Sequence, residues 1–277
     1  MGDHRRVSAA ADFDTSAFLH TLAWGAGAML AVVSLTFVVS QIVHRHSVID
    51  TAWGLLFVAA AIAVFVGSNH HGDDTRRWLL FFLPALWGLR LAQHIGRRSI
   101  GKPEDPRYEQ LLAKAKGNRE LYALRMVYLL QAVLAFVIAA PILVGGFVVG
   151  SVGVIGWIGV GLWVVGVFFE AVGDHQMEAF RNNPANKGKL IDVGLWRYTR
   201  HPNYFGDACV WWGIFLVAAQ HWPGVLTVPA PIIMTLLLTK GSGARILEKH
   251  MSTRPGWAEY AARTSGFFPL PPKKIAQ

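Results

Sequence analysis

The richest run of chemically able side chains lies at residues 193–207, Val-Gly-Leu-Trp-Arg-Tyr-Thr-Arg-His-Pro-Asn-Tyr-Phe-Gly-Asp. Pro202 stands where a helix begins readily, and Asn203 offers an amide that caps or binds. The free N–H groups and dipole of that helix start, with Arg197, Arg200 and His201, make an anion-binding end. Arginine grips a phosphate through two parallel hydrogen bonds, whereas lysine acts as a point charge. Gly206 lets a ligand or a neighbouring helix approach closely, and Tyr198 and Tyr204 offer faces for stacking on a flat ring. An apolar mouth beside such a site suits an enzyme that joins a phosphorylated soluble cofactor to a lipid-dissolved substrate.

Other ionisable groups interrupt apolar runs, where each costs several kcal/mol unless it faces a cavity or a partner. Asp50 precedes Trp53 by three residues, so both share a helix face. Arg90 follows Trp87, with Gln93 and His94 just beyond. Arg125 and Gln131 enter a further run. Glu170 and Asp174 are spaced i, i+4, with Arg181 seven residues on along roughly the same face, and Asp207 stands just inside another run. The plainer expectation is structural: an Asp50–Arg90 ion pair, and Asp207 with a nearby arginine, locking helices together. His44, His46, His70 and His71 read as solvated interfacial side chains, and no acidic cluster beside them supports a metal. Cys209, the only cysteine, excludes an internal disulfide framework and reads as an inert buried thiol beside Trp211 and Trp212.

The elements that must position these groups follow from composition. Of 277 residues, 53% are hydrophobic and 16% are charged. Mean hydropathy is +0.36. Soluble domains carry about 25% charged residues, so the balance points to lipid. Continuous apolar runs at about 17–43, 48–68, 78–95, 121–144, 149–172, 204–221 and 225–241 approach the roughly 20 residues that a bilayer core requires of a helix. The expected fold is all-α: a polytopic membrane protein of about seven transmembrane helices. Arg and Lys concentrate at 97–119, at 181–200 and from Arg245 onward, which sets the N-terminus outside and the C-terminus cytoplasmic. The exceptions are Arg5, Arg6, Arg76 and Arg77. The net charge of +9 then records topology and contact with anionic lipid rather than nucleic-acid binding. The first apolar run is too long for a signal-peptide core and reads as a retained span. The organisation expected is a polar tail at 1–16, a lipid-substrate half at 17–144 and a cofactor-binding half at 145–277.

The Gly-Leu-Trp-Arg-Tyr-Thr-Arg-His-Pro-Asn-Tyr-Phe-Gly-Asp run resembles the C-terminal domain of the steroid 5α-reductase family, especially its bacterial branch of multi-span proteins. Matches extend to Ser47-Val48-Ile49-Asp50-Thr51-Ala52-Trp53-Gly54, Trp87-Gly88-Leu89-Arg90-Leu91 and Gly101-Lys102-Pro103-Glu104-Asp105-Pro106-Arg107-Tyr108. They resume at Arg254-Pro255-Gly256-Trp257-Ala258-Glu259-Tyr260. The resemblance implies NADPH in a cytoplasm-facing cavity formed by the last spans, in a bacterial inner membrane. It implies cofactor contacts at Asp174, Arg181, Asn203, Tyr204 and Asp207, with Arg197, Arg200 and His201 beside the phosphates or nicotinamide, and Arg245, Glu248 and His250 in the tail. The family's ketone-polarising tyrosine falls at Trp87, and Asp50 is the nearest acid to its glutamate. Asp50, Arg90 and His94 are therefore the expected catalytic groups.

The expected function is NADPH-dependent reduction of a carbon–carbon double bond in a steroid-like or other lipophilic enone. The Arg-His-Pro-x-Tyr-x-Gly core also resembles isoprenylcysteine carboxyl methyltransferases, which use S-adenosylmethionine, and Arg245, Glu248, Tyr260 and Pro269 fit their tail. Sterol C14-reductases share the Asn-Tyr-x-Gly-Asp run. The five Arg and Lys residues between 181 and 200 favour the more highly charged cofactor. A transporter or scaffold is the non-enzymatic alternative.

Overall fold

The computed structural model describes residues 13–241 and 243–274. Residues 1–12, with Arg5 and Arg6 and most of the expected polar tail, lie outside the described residues. Among the described residues, eleven helices follow one another, joined in places by short 3-10 turns. α1 is Thr15–Val43, α2 Val48–Gly67, α3 Asp74–Ser99 and α4 Pro106–Leu112. α5 is Arg119–Ile138, α6 Ala140–Gly145, α7 Val154–Asn182 and α8 Pro202–Ala218. α9 is Pro229–Thr239, α10 Ala244–Met251 and α11 Trp257–Arg263. Among the described residues there is no strand; one isolated bridge pairs Thr199 with Ser265.

Among the described residues, six helical stretches are long and apolar enough to cross a membrane, namely α1, α2, α3, α5, α7 and Gly224–Met251. The seventh expected run, 204–221, is α8, whose 17 residues reach the lower limit for a span. Leu35, Ile42, Val66, Leu86, Val133 and Ile155 point outward from the bundle, as lipid favours.

Helix ends obey local chemistry. Asp14 caps α1 through the Ala17 N–H at 2.9 Å, Asp73 caps α3, and Asn118 caps α5. Pro106 and Pro202 begin α4 and α8, where a missing N–H costs nothing. α5 contains a π-turn at Leu124–Leu129, and the expected single span 121–144 divides into α5 and α6 just ahead of Pro141.

Two sequence boundaries move in a way that matters. Helix α7 does not stop at 172 but continues to Asn182, because no breaker intervenes before Asn183-Pro184. α3 likewise continues past 95 to Ser99. Asp174, Arg181 and Arg98 therefore stand on rigid helix rather than in loops.

Glycines set the closest helix approaches. A Cβ on Gly166 of α7 would stand 2.5 Å from the Gly206 carbonyl oxygen of α8, and one on Gly206 would stand 2.5 Å from that of Gly166. α2 and α3 meet in the same way through Gly54 and Gly88, at 2.3 and 2.4 Å. Small residues that let backbones touch are the usual glue of helices in lipid. Phe57, Trp87 and Trp211 pack edge to face in the centre, with Phe57 and Trp211 at 4.5 Å and Trp87 and Trp211 at 5.4 Å.

Arg76 and Arg77 sit outside the apolar core by sequence, yet both side chains are buried. Arg76 donates to the carbonyls of Val217 at 3.1 Å and Val148 at 2.7 Å, neutralising the C-terminal end of α8.

Candidate functional site

The expected Asp50–Arg90 ion pair does not form. Arg90 turns instead to α7, where its guanidinium donates to Glu170 and, at 3.1 Å, to Asp174. The reason is placement: α3 and α7 both pack against α8, and the long Arg90 side chain reaches across to the i, i+4 acid pair. His94, one turn further along α3, places Nε2 3.6 Å from Asp174. Trp87, one turn before Arg90, donates its indole N–H to Glu170 at 2.9 Å. From α8 the Asn203 amide reaches Asp174 at 3.4 Å. Three helices far apart in sequence thus converge on two carboxylates.

Asp207, one turn along α8 from Asn203, has no ion-pair partner among the described residues; its Oδ1 is buried and accepts no hydrogen bond from them. The expected Asp207–arginine lock is therefore absent. Arg90 Nε is likewise buried and without an acceptor. Buried polar atoms are nearly always satisfied, so these two leave the ladder one open donor and one open acceptor.

Asp50 belongs to a second cluster. The Tyr108 hydroxyl donates to Asp50 at 2.5 Å, Arg107 donates to it at 3.0 Å, and Gln131 donates to the Tyr108 oxygen at 3.3 Å. Burial, then the Asp50 carboxylate, pushes the Tyr108 phenol well up, so it stays protonated. The π-turn in α5 immediately precedes Gln131, and such turns often accompany functional side chains. Glu104 ties the same loop to the start of α2 by accepting from the backbone N–H groups of His46 and Ser47. His46 is buried against Tyr128 rather than solvated as its position suggested.

The 193–207 segment is held by the tail. Arg200 Nε donates to Glu248 at 2.8 Å, and one of its terminal nitrogens donates to the carbonyls of Ala261 at 3.0 Å and Thr264 at 2.7 Å. Tyr260 donates to the Trp196 carbonyl at 2.7 Å, Thr199 to that of Phe267 at 2.8 Å, and Arg263 pairs with Asp192. Arg200 is thus occupied within the protein. His201 lies 3.0 Å from Glu248 and stacks on Tyr204 with ring centres 5.3 Å apart. Burial outweighs the pull of Glu248 and lowers the His201 pKa, so its imidazole is neutral near pH 7 and adds a polar contact, not a fixed cation.

Arg181 ends α7 and is exposed, as are Arg197 and the tail residues Arg245 and His250. A cavity of about 320 Å³ opens between Gly188, Lys189 and Asp192 on one side and Gly256, Glu259 and Arg263 on the other. It lies against the tail and shares no residue with the ladder.

Sequence reasoning assigns no contact to Trp87, which it sets beside Arg90, or to Tyr108, which ends a matched run. Trp87 could have been found from its i−3 spacing to Arg90. Tyr108 carries no comparable local signal, because its partner Asp50 is 58 residues away.

A family model described as "Protein of unknown function (DUF1295)" matches residues 36–264. An uncharacterized protein of Schizosaccharomyces pombe is 22% identical over 257 residues, covering 83% of this chain and 74% of that relative. No solved structure matches the chain.

Proposed function

We propose, for a chain that belongs to the DUF1295 family, membrane-embedded NADPH-dependent reduction of a carbon–carbon double bond in a lipophilic enone, in the manner of steroid 5α-reductases. The observation that carries this reading is Asp174, which joins Arg90 and His94, the groups expected to do chemistry, to Asn203, a group expected to hold cofactor.

The residues present fit such a cofactor. Asp207 Oδ1 is an open buried acceptor suited to an amide N–H, and Arg181 is a helix-borne cation free of any ion pair among the described residues. When bound, NADPH would supply the hydride. The chain would supply the setting for it. Arg90 Nε is a buried donor positioned by two carboxylates, suited to an oxygen that gains negative charge. The proton for the adjacent carbon would come from solvent or a protein acid, since Tyr108 in the second cluster keeps its proton on its hydrogen bond to Asp50. The packed Phe57, Trp87 and Trp211 rings wall one side of the ladder, while Arg90 and His94 keep some exposure on the other. We place this site at the cytoplasmic face of a bacterial inner membrane.

A second reading, S-adenosylmethionine-dependent methyl transfer, draws on the closure of Glu248 and Tyr260 over the Arg-His-Pro helix start. Purified protein scanned for thermal unfolding with NADPH, with S-adenosylmethionine and without either separates the two. Protection by NADPH alone supports reduction; protection by S-adenosylmethionine alone overturns it.

A further inference from the structure

The last apolar stretch is not one unbroken helix. α9 closes at Thr239, Lys240 and Gly241 follow, and Gly243 opens α10. A Cβ on Gly243 would stand 2.2 Å from the Leu238 carbonyl oxygen, so the chain turns tightly against the end of the span. α8 and α9 are antiparallel neighbours, joined where the Trp212 indole donates to Thr235 at 3.2 Å. The start of α8 and the end of α9 therefore lie at the same end of the bundle. α10 is fastened at that end, because Glu248 accepts from Arg200 at 2.8 Å and lies 3.0 Å from His201, just before Pro202. It stands where the chain leaves the membrane.

The two sides of α10 differ. Glu248 is turned to the protein, and at 3.6 residues per turn Ile246 stands about 160° away from it. Ile246 and Leu247 are 48% and 46% exposed, an arrangement that water opposes. Arg245 and Lys249, one turn apart, border Ile246 and are exposed as well. Neither forms an ion pair among the described residues, and Glu248, the only acid of α10, is spent on Arg200 and His201. The same outward character continues from Ile232 and Leu236 of the preceding span. Apolar side chains bordered by unpaired cations suit a helix lying among lipid headgroups. There the aliphatic groups enter the acyl boundary and the long cationic ones reach the phosphates. A second copy of the chain fits less well, since a two-fold contact through this face would set the same cations against each other.

We infer that α10 docks on the anionic surface of the membrane through Ile246, Leu247, Arg245 and Lys249, and that the lipid thereby holds Glu248 against Arg200 and His201. Membrane charge then governs how firmly the tail closes over the start of α8. The inference is independent of which reaction the protein performs.

The test follows hydrogen exchange at residues 244–251 and 195–201 of the full-length protein in nanodiscs of phosphatidylcholine, with and without phosphatidylglycerol. Anionic lipid should raise protection in both segments, by about fivefold for each of the two cations engaged, and salt should reverse the gain. The double variant Arg245→Gln, Lys249→Gln should lose the gain in both segments. Its thermal midpoint in phosphatidylcholine should stay close to wild type, because both positions are exposed. Glu248→Gln should keep the gain at 244–251 and lose it at 195–201. Equal protection in the two lipids would seat α10 on protein, whether its own chain or a second copy, and overturns the docking. A gain that persists in the double variant overturns it too. A gain at 244–251 of the wild type with none at 195–201 breaks the link through Glu248 and overturns the inference.

Discussion

The Arg90 guanidinium and the Asp174 carboxylate meet at 3.1 Å across 84 residues of chain. That bond fastens a helix of the N-terminal half to one of the C-terminal half. Glu170 and His94 share it, so four ionisable groups depend on one alignment of α3 with α7.

Replacing Arg90 by Met should leave two carboxylates in low dielectric without their guanidinium. Breaking a buried pair from one side costs about 3–5 kcal/mol, so the thermal midpoint in detergent should fall steeply. Adding Glu170→Leu should restore part of the loss. A single variant as stable as wild type would mean the pair is not formed in solution.

Asn203→Ala removes one long hydrogen bond to Asp174, worth about 1 kcal/mol or less. Membrane insertion and unliganded stability should therefore survive. Protection by NADPH should disappear, and persistence of full protection would remove Asn203 from the site.

Gly206→Ala places a methyl against the Gly166 carbonyl at 2.5 Å. Neither backbone can yield locally, so α7 and α8 must separate, at a cost of about 1–3 kcal/mol. Because Asp174 and Asn203 lie on those two helices, ligand protection should weaken along with stability. Glycine-to-alanine change at Gly27 inside α1, where a Cβ meets nothing within 4 Å, is the control and should be neutral or stabilise by up to about 1 kcal/mol.

Loop 100–112 should loosen in acid. Burial by itself would raise the Glu104 pKa, but contacts from Ser47 and the N–H groups of His46, Ser47 and Asp105 outweigh it and hold the carboxylate below its usual 4.5. A depressed carboxylate contributes stability that is complete above the unfolded value and is lost as pH falls through the lower, folded one. Protection from amide exchange at residues 46–47 and in α4, taken against the intrinsic rate at each pH, should fall below about pH 4.5, and Glu104→Gln should lose protection at pH 7 as well. Exchange in the variant that matched wild type at neutral pH would count against this anchor.

Tyr260→Phe deletes the hydrogen bond to Trp196 and should cost about 1 kcal/mol. Its sharper effect should be local: protease should cut the 257–270 tail sooner while the spans stay intact. Arg200→Gln, which frees Glu248 and two tail carbonyls at once, should release the tail further.

Much of the bundle was legible in the chain because apolar length is a local property. Each expected run is mainly helical, although 121–144 divides between α5 and α6, and Glu170, Asp174 and Arg181 share a face because helical spacing requires it. Partner choice was less legible. Asp50 and Arg90 looked matched by sign, yet Arg107 and Tyr108 take Asp50 while α7 takes Arg90. Arg200 looked free for phosphate, and the folded tail occupies it.

The amino-acid order determined which segments are helical, where Pro202 starts α8, and which residues carry charge in apolar surroundings. Those outcomes need only neighbours within a turn or two. Which acid each arginine meets, and that Asp50 is left to Arg107 while Arg90 reaches Glu170 and Asp174, depends on how α3 and α7 are offset around α8. Only the packing of glycine on glycine and aromatic on aromatic across distant helices decides that offset.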